Sequence, residues 1–297
     1  MGAIEIGPVF WALSALALTA AVAYGAYFLG RPPSLARAAV KTLFMGATVA
    51  ALVSAQAPFP LIVAIACSAL GDFFLAFKSK WTLPLGILAF LLAQLVYAMM
   101  FGAMWFFSGD NAPLLPRYAA MAAIGVLLVT FLVWFWRTDA FKRAPISGTL
   151  AVAALVALGA LLPIFIISGL MYVSGEPNER APLSAFVPLA SVAIAAILLA
   201  GWRRNLGALA LVAMIYAGAI STMAVAAMWL PWAGWPAMIG AVCFLVSDLV
   251  LAAELFRLPT ETPVRRLTAP LVWWTYVAAQ VGIVSGVLLV ATHGGGP

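Results

Sequence analysis

Two acidic residues lie where a chain of this composition is expected to place only apolar side chains. Asp72 is in the stretch ACSALGDFFLAF, residues 66–77, and Asp248 is in AVCFLVSDLVLAAELF, residues 241–256. Both stretches predict helices that are apolar on almost every face. A carboxylate at the centre of a membrane helix costs about 2.5–3.5 kcal/mol on insertion scales, so its presence indicates a function or a dedicated partner.

When two carboxyl groups share one water-poor site, their pKa values move apart, so that one is neutral and one is ionised at neutral pH. That pair supplies a general acid and a general base, and such a site could hydrolyse an acid-labile bond with water alone. Asp72 and Asp248 are therefore the predicted catalytic residues. The alternative is that each carboxyl only hydrogen-bonds a neighbouring tyrosine, glutamine or lysine and holds helices together.

Several other polar side chains are predicted to lie near the two aspartates and to bind substrate. Among them, Lys41 opens a predicted helix on the same side of the membrane. We expect it at the mouth of a cavity shared by the aspartates, where its ammonium could hold a phosphate as a point charge. The predicted substrate-binding residues are Lys41, Gln94, Tyr97, Asn205, Tyr216, Tyr276 and Gln280.

The elements that must position these residues are transmembrane helices. Of the 297 residues 66% are hydrophobic and only 8% are charged, against about 25% charged in a soluble domain. The apolar runs are about 20 residues long, enough to cross a hydrocarbon core of ~30 Å. We predict an all-α polytopic bundle, one domain over residues 1–297, with ten spans at roughly 8–29, 39–56, 59–77, 82–107, 117–136, 146–173, 182–201, 206–229, 236–256 and 268–291.

The distribution of basic residues predicts the orientation of this bundle. Thirteen of the 15 lysines and arginines fall in alternate joints between spans, and only Arg117 and Arg180 fall in the others. By the positive-inside rule, the N-terminus is outside. The net charge of +6 then reflects membrane topology, which argues against a nucleic-acid partner. The first span follows Glu5 and no basic residue, so we interpret it as a retained span rather than a signal peptide. The expected location is a bacterial inner membrane.

The residues that common hydrolases and metal sites require are scarce. The one histidine is His293, in the glycine-rich tail, and the two cysteines, Cys67 and Cys243, lie in apolar runs. This composition argues against Ser-His-Asp triads, zinc sites and a disulfide framework. We therefore expect neither a metal nor a cofactor.

Four stretches of the chain resemble the YhhN family, whose members include lysoplasmalogenases. They are AVKTLF with Lys41, SALGDFFLAF with Asp72, YAGAISTMAVAA with Tyr216, and the closing pair IGAVCFLVSDLVLAAELF and WWTYVAAQVGI. Two features depart from the family pattern. Gln94 stands where the family has a histidine, and the family usually has eight spans. The surplus is predicted to be an extra helix pair within residues 110–178.

The resemblance implies a hydrolase that cleaves the vinyl-ether bond of a lysoplasmalogen to a fatty aldehyde and glycerophosphoethanolamine or glycerophosphocholine. The slow step of vinyl-ether hydrolysis is protonation of an alkene carbon, which gives an oxocarbenium ion that water captures. A neutral aspartic acid would donate the proton, and an ionised aspartate would stabilise the cation or activate water. This parallels the two carboxylates of glycoside hydrolases. The implied partners are the lysophospholipid substrate and membrane lipids.

Three other interpretations stay open at this point. A ten-helix small-molecule transporter of the drug/metabolite type would have a similar length, and proton-coupled transport also uses intramembrane carboxylates. An intramembrane aspartyl protease is disfavoured because Ala69 occupies the place of the first glycine of its Gly-x-Gly-Asp motif. The third is a lipid-binding or scaffold protein of the membrane without catalytic activity.

Overall fold

The computed structural model describes residues 4–77, 82–108, 114–136, 208–256 and 263–293. These residues form helices and connecting turns, without a strand, and the all-α prediction is confirmed for them. The α-helices are α1 (Pro8–Ala23), α2 (Leu35–Ser54), α3 (Phe59–Leu75), α4 (Thr82–Ser108), α5 (Leu114–Trp136), α6 (Ala208–Ala227), α7 (Trp235–Phe256) and α8 (Arg265–His293).

These helices correspond to eight of the predicted spans, and the two at 146–173 and 182–201 lie outside the described residues. Among the described residues, five helical segments are long and apolar enough to cross a membrane, namely Pro8–Phe28, Leu35–Ser54, Thr82–Trp105, Trp232–Leu255 and Arg265–Thr292. The chain is an integral membrane protein. The total of ten spans and the outside N-terminus stay predictions, as does the single domain with an extra pair within 110–178.

The chain divides into two compact units, residues 1–127 with 220–297 and residues 128–219, and each is described by itself. The candidate catalytic aspartates are both in the first unit. In that unit α2 packs between α1 and α3, α3 also packs on α4, and α7 packs on α8. Helix α8 contacts α3 and the π-helical segment Tyr24–Phe28 that continues α1. Helices far apart in the chain thus meet at α8.

Side-chain contacts join the ends of helices in the first unit. At one end, Arg117 donates to the carbonyl of Leu230 at 2.8 Å, and the Trp105 and Trp229 rings lie 5.2 Å apart. Between α1 and α2, the Arg37 guanidinium donates to the Tyr24 hydroxyl. These contacts hold the ends of neighbouring helices together, and the side of the membrane on which each joint lies stays a prediction.

Helices α7 and α8 approach each other closely enough for backbone contact. A methyl group at Gly240 would lie 2.7 Å from the Ala279 carbonyl oxygen, and one at Gly282 would lie 3.0 Å from the Gly240 Cα. Gly286 is packed equally tightly against Ala237. Gly282 and Gly286 belong to the small-xxx-small stretch GIVSG, a pattern typical of helix-packing surfaces. This close contact fixes the position of α8 beside α7.

Candidate active site

Asp72 is completely enclosed at the meeting point of three helices. Its side chain on α3 is 1% exposed, and its Oδ1 lies 2.9 Å from the Lys41 Nζ on α2. Its Oδ2 accepts a hydrogen bond of 2.7 Å from the Tyr276 hydroxyl on α8. We call Lys41, Asp72 and Tyr276 the Asp72 triad. Both carboxyl oxygens act as acceptors from strong donors, which is the arrangement of an ionised carboxylate.

Glycine at position 71 allows α4 to approach the backbone beside Asp72. A methyl group at Gly71 would lie 2.5 Å from the Phe90 ring, and one at Gly86 would lie 3.4 Å from the Gly71 carbonyl oxygen. Two facing glycines therefore bring α3 and α4 together at the level of the triad. This contact seats the Phe90 ring directly beside the aspartate.

Four aromatic rings surround the ring of Tyr276. The centroids of Phe244, Phe90, Trp273 and Phe44 lie 5.5, 5.9, 5.9 and 6.3 Å from the centroid of Tyr276. Three of these contacts are edge-to-face, the favoured geometry for aromatic pairs. Rings on all sides keep bulk water from the Tyr276–Asp72 hydrogen bond. Charge interactions in this water-poor site are consequently much stronger than in solution.

A second group of polar side chains lies one helical turn from the triad. Tyr97 on α4 donates a hydrogen bond of 2.9 Å to the Gln280 Oε1 on α8, and both residues are buried. Gln94, on the same face of α4, is also completely buried. Neither the Oε1 nor the Nε2 of Gln94 has a hydrogen-bond partner among the described residues. We call Gln94, Tyr97 and Gln280 the amide layer.

Asp248 lies on α7 and is half-buried, in contrast to Asp72. It follows Phe244 by four residues, so it lies on the helix face that Phe244 presents to Tyr276. The neighbouring Ser247 hydroxyl donates to the Val272 carbonyl on α8 at 3.0 Å, which fixes the rotation of α7 about its axis. A cavity common to Asp72 and Asp248 remains a prediction.

Lys41 has a partner within the protein in addition to the phosphate that the sequence analysis predicts for it. Its ammonium was predicted to hold a phosphate at the mouth of a cavity, and it is found on the Asp72 carboxylate with 15% of its side chain exposed. Tyr216 is half-buried on α6 in the second compact unit, and Asn205 lies outside the described residues. Substrate binding by these residues stays a prediction.

Phe90, Phe244 and Ser68 belong to the site although sequence reasoning missed them. The first two form the aromatic enclosure of Tyr276, and Ser68 is buried one turn before Asp72, near the Tyr97 hydroxyl. The spacing of Phe90, Gln94 and Tyr97 places all three on one helix face, so the glutamine could have marked the phenylalanine as a neighbour. For Phe244 the corresponding signal was its place four residues before Asp248.

Comparison with known proteins identifies relatives of this chain. The model of the YhhN family matches residues 36–170 and 157–287, together more than half of the chain. Two curated proteins, each named lysoplasmalogenase, come from Mycobacterium bovis and Mycobacterium tuberculosis. Each is 26% identical to this chain over 282 residues, an alignment that covers 90% of this chain and 80% of the relative. No solved structure matches the chain.

Proposed function

The chain belongs to the YhhN family, and from that premise we propose that it hydrolyses the vinyl-ether bond of lysoplasmalogens. The products are a fatty aldehyde and glycerophosphoethanolamine or glycerophosphocholine. The observation that carries the proposal is the buried Asp72 carboxylate, held between Lys41 and Tyr276 inside an apolar membrane bundle. The similarity to the two mycobacterial lysoplasmalogenases and the family match favour a hydrolase over the transporter alternative.

The hydrogen bonds of Asp72 support a role as the anion of the reaction. Because both of its oxygens accept, Asp72 has no proton to give and serves as the anion. An oxocarbenium ion that forms beside it is stabilised electrostatically, and the effect is large because the enclosing rings exclude water. Asp72 also accepts the proton that the attacking water releases.

Asp248 is then the general acid. It transfers its proton to the alkene carbon that lies two bonds from the ether oxygen, and the positive charge develops on the carbon bonded to that oxygen. Its half-buried position lets it regain a proton between turnovers, which a completely enclosed group does less readily. Its place one turn from Phe244, on the face toward Tyr276, supports a position near the same substrate atoms.

Lys41 has a further role in substrate binding. An ammonium has three N–H donors, and the ion pair with Asp72 Oδ1 leaves donors for a phosphate oxygen of the lysophospholipid. The Lys41 side chain is 15% exposed and that of Asp72 only 1%, so a lipid head group would reach the triad through Lys41. The head group and the reacting bond would then be positioned by the same ion pair.

Aldehyde release from a defined substrate tests this proposal. Purified full-length protein in detergent is incubated with a 1-alkenyl lysophospholipid, and free aldehyde is measured with a coupled dehydrogenase. A saturated 1-alkyl lysophospholipid with the same head group is the matched control, because it has no alkene carbon to protonate. We expect aldehyde from the alkenyl lipid only. Folded protein that releases none from ethanolamine or choline lysoplasmalogens contradicts the proposal.

A further inference from the structure

Two glutamine side chains in the core have hydrogen-bonding capacity that the described protein does not use. Gln94 is completely buried, and both its Oε1 and its Nε2 are without a partner among the described residues. The Nε2 of Gln280 is likewise unpartnered there, although its Oε1 accepts from Tyr97. Buried amides in native proteins are almost always satisfied, by protein or by an enclosed water that makes about three hydrogen bonds. These atoms therefore point to a small polar ligand.

The neighbours of Gln94 fix where that ligand lies. Phe90, one turn before Gln94, packs against the Tyr276 ring, and Tyr97, one turn after it, hydrogen-bonds Gln280. Gln94 thus faces α8 between Tyr276 and Gln280. Those two residues are four apart on α8, about 6 Å along the helix axis. Gln94 and Gln280 are consequently about one helical turn from the level of Tyr276.

Contacts from α3 support the same location. Ser68 lies one turn from Asp72 and close to the Tyr97 hydroxyl, so the amide layer is next to the triad when seen from α3 as well as from α8. In the part of the chain that the structure describes, no three His, Cys, Asp or Glu residues are grouped to hold a metal ion. Neutral donors and acceptors in an apolar enclosure match water rather than a cation or an anion.

We propose that the amide layer binds the water molecule that attacks the substrate, with Gln94 and Gln280 as its positioning residues. This inference rests on the proposed function and identifies how the second reactant is held. A water that donates to Gln94 Oε1 and accepts from Gln280 Nε2 keeps one lone pair and one O–H group. The lone pair is available to the cationic carbon, and the O–H faces Tyr276.

The steps balance without a further reactant. Asp248 protonates the alkene carbon, and the water oxygen then forms a bond to the oxocarbenium carbon. The proton released by that water passes to the Tyr276 oxygen, while the Tyr276 proton passes to Asp72. The resulting hemiacetal gives its hydroxyl proton to Asp248, and Asp72 returns its proton to the glycerol oxygen as the carbon–oxygen bond breaks. Both aspartates regain their starting states.

Replacing Gln94 by an apolar side chain of the same length, Gln94→Met, tests the water site in the full-length protein. With a 1-alkenyl lysophospholipid we expect kcat to fall about 10- to 100-fold while KM changes less than about 2-fold, because the loss concerns water and not lipid. Thr48→Val, which removes a hydroxyl already bonded to the Phe44 carbonyl, is the control and should leave kcat unchanged. A higher KM with an unchanged kcat would overturn the proposal.

Competition with methanol reports on the same water more directly. Methanol that captures the oxocarbenium ion gives a stable mixed acetal instead of free aldehyde. The wild-type protein should form less acetal than the methanol content of the solvent predicts, and Gln94→Met should bring the acetal-to-aldehyde ratio close to the solvent composition. An identical ratio in both proteins contradicts a held water. Gln94→Asn, which keeps the amide but shortens it, provides the same comparison if Gln94→Met does not fold.

Thermal stability separates failure of the water site from failure of the proposed function. If the amide layer is dry, Gln94→Met removes an unsatisfied buried amide and raises Tm; if it holds water, the change breaks hydrogen bonds and lowers Tm. We expect Tm to fall. The Tm measurement does not require turnover. If the wild-type protein releases no aldehyde, the proposed hydrolase function is contradicted, and the change in Tm still shows whether the amide layer holds a water. A higher Tm for Gln94→Met overturns the inference.

Discussion

The helix that carries Asp72 and the helix that carries Asp248 hold their carboxyl groups in different surroundings. On α3 the carboxylate is 1% exposed and is fixed by a lysine and a tyrosine from two other helices. On α7 the carboxyl is half-buried, and the adjacent serine bonds the backbone of α8. The difference fits the proposed division of roles, in which a fixed anion provides electrostatic stabilisation and a more accessible group exchanges protons.

Replacing each aspartate by asparagine should have the largest effect on activity and should reveal the difference between the two carboxyl groups. Asp72→Asn and Asp248→Asn should each lower kcat at least about 100-fold, because an amide neither carries the charge nor donates the proton. Their effects on stability should differ. Asp72→Asn leaves the Lys41 ammonium without its counter-charge and should cost on the order of 3 kcal/mol of unfolding free energy. Aldehyde release and thermal unfolding measure the two effects.

The matched control is Glu5→Gln, which removes an exposed carboxylate and should change neither quantity. The double variant Asp72→Asn/Asp248→Asn should be little less active than either single variant, since residues that act as a unit are not additive. An Asn variant with near-normal hydrolysis and only lower stability would instead support the interpretation that its aspartate holds helices together.

Removing the cation of the triad should have the next largest effect. Lys41→Met leaves the enclosed Asp72 carboxylate without its ion-pair partner and should lower the free energy of unfolding by about 3 kcal/mol. Turnover should fall about 10- to 100-fold, with a rise in KM if the ammonium also holds the substrate phosphate. Arg266→Met, at an exposed position, is the charge-matched control. Equal effects of the two substitutions would contradict a specific role for Lys41.

Removing one hydroxyl should have the smallest effect of the three. Tyr276→Phe keeps the aromatic packing but leaves Asp72 Oδ2 without its hydrogen bond, a loss of about 1.5–3 kcal/mol for a bond to a charged group. We expect about a 10-fold lower kcat, because the hydroxyl positions the anion and relays a proton. Tyr118→Phe, at a half-exposed ring, is the control and should behave like the wild type. Steady-state kinetics of both variants measure this difference in kcat, and equal kcat values would contradict a role for the Tyr276 hydroxyl.

The helices could be predicted because the apolar runs have spanning length and are separated by prolines and charges. The site residues could be predicted in part because a polar side chain in such a run stands out from its neighbours. The pairing of Lys41 with Asp72 could not be predicted, because it depends on how α2 is rotated and shifted against α3. A lysine near a membrane surface also fits the positive-inside rule without any partner.

The aromatic enclosure illustrates a different limit of sequence reasoning. Phe90 and Phe244 are two of 18 phenylalanines in a chain that is 66% hydrophobic, so their residue type carries little contrast. Their importance comes from the contacts around Tyr276 and from the glycine beside Asp72 that admits the Phe90 ring. Helical spacing from Gln94 and Asp248 marks the helix faces on which these rings lie, but which rings meet across helices is a property of the packed bundle.

The glycine contact between α7 and α8 also limits where the long hydrocarbon tail of a lipid can lie. Backbone atoms of the two helices touch at Gly240 and Gly282, so a polymethylene chain cannot pass between the helices at that contact. The tail of the proposed lysophospholipid substrate would therefore lie on another surface of the protein. In the proposed hydrolase, selection for tail length would then depend on other helices, and bulkier residues along the α7–α8 contact would disturb folding without altering which tails are accepted.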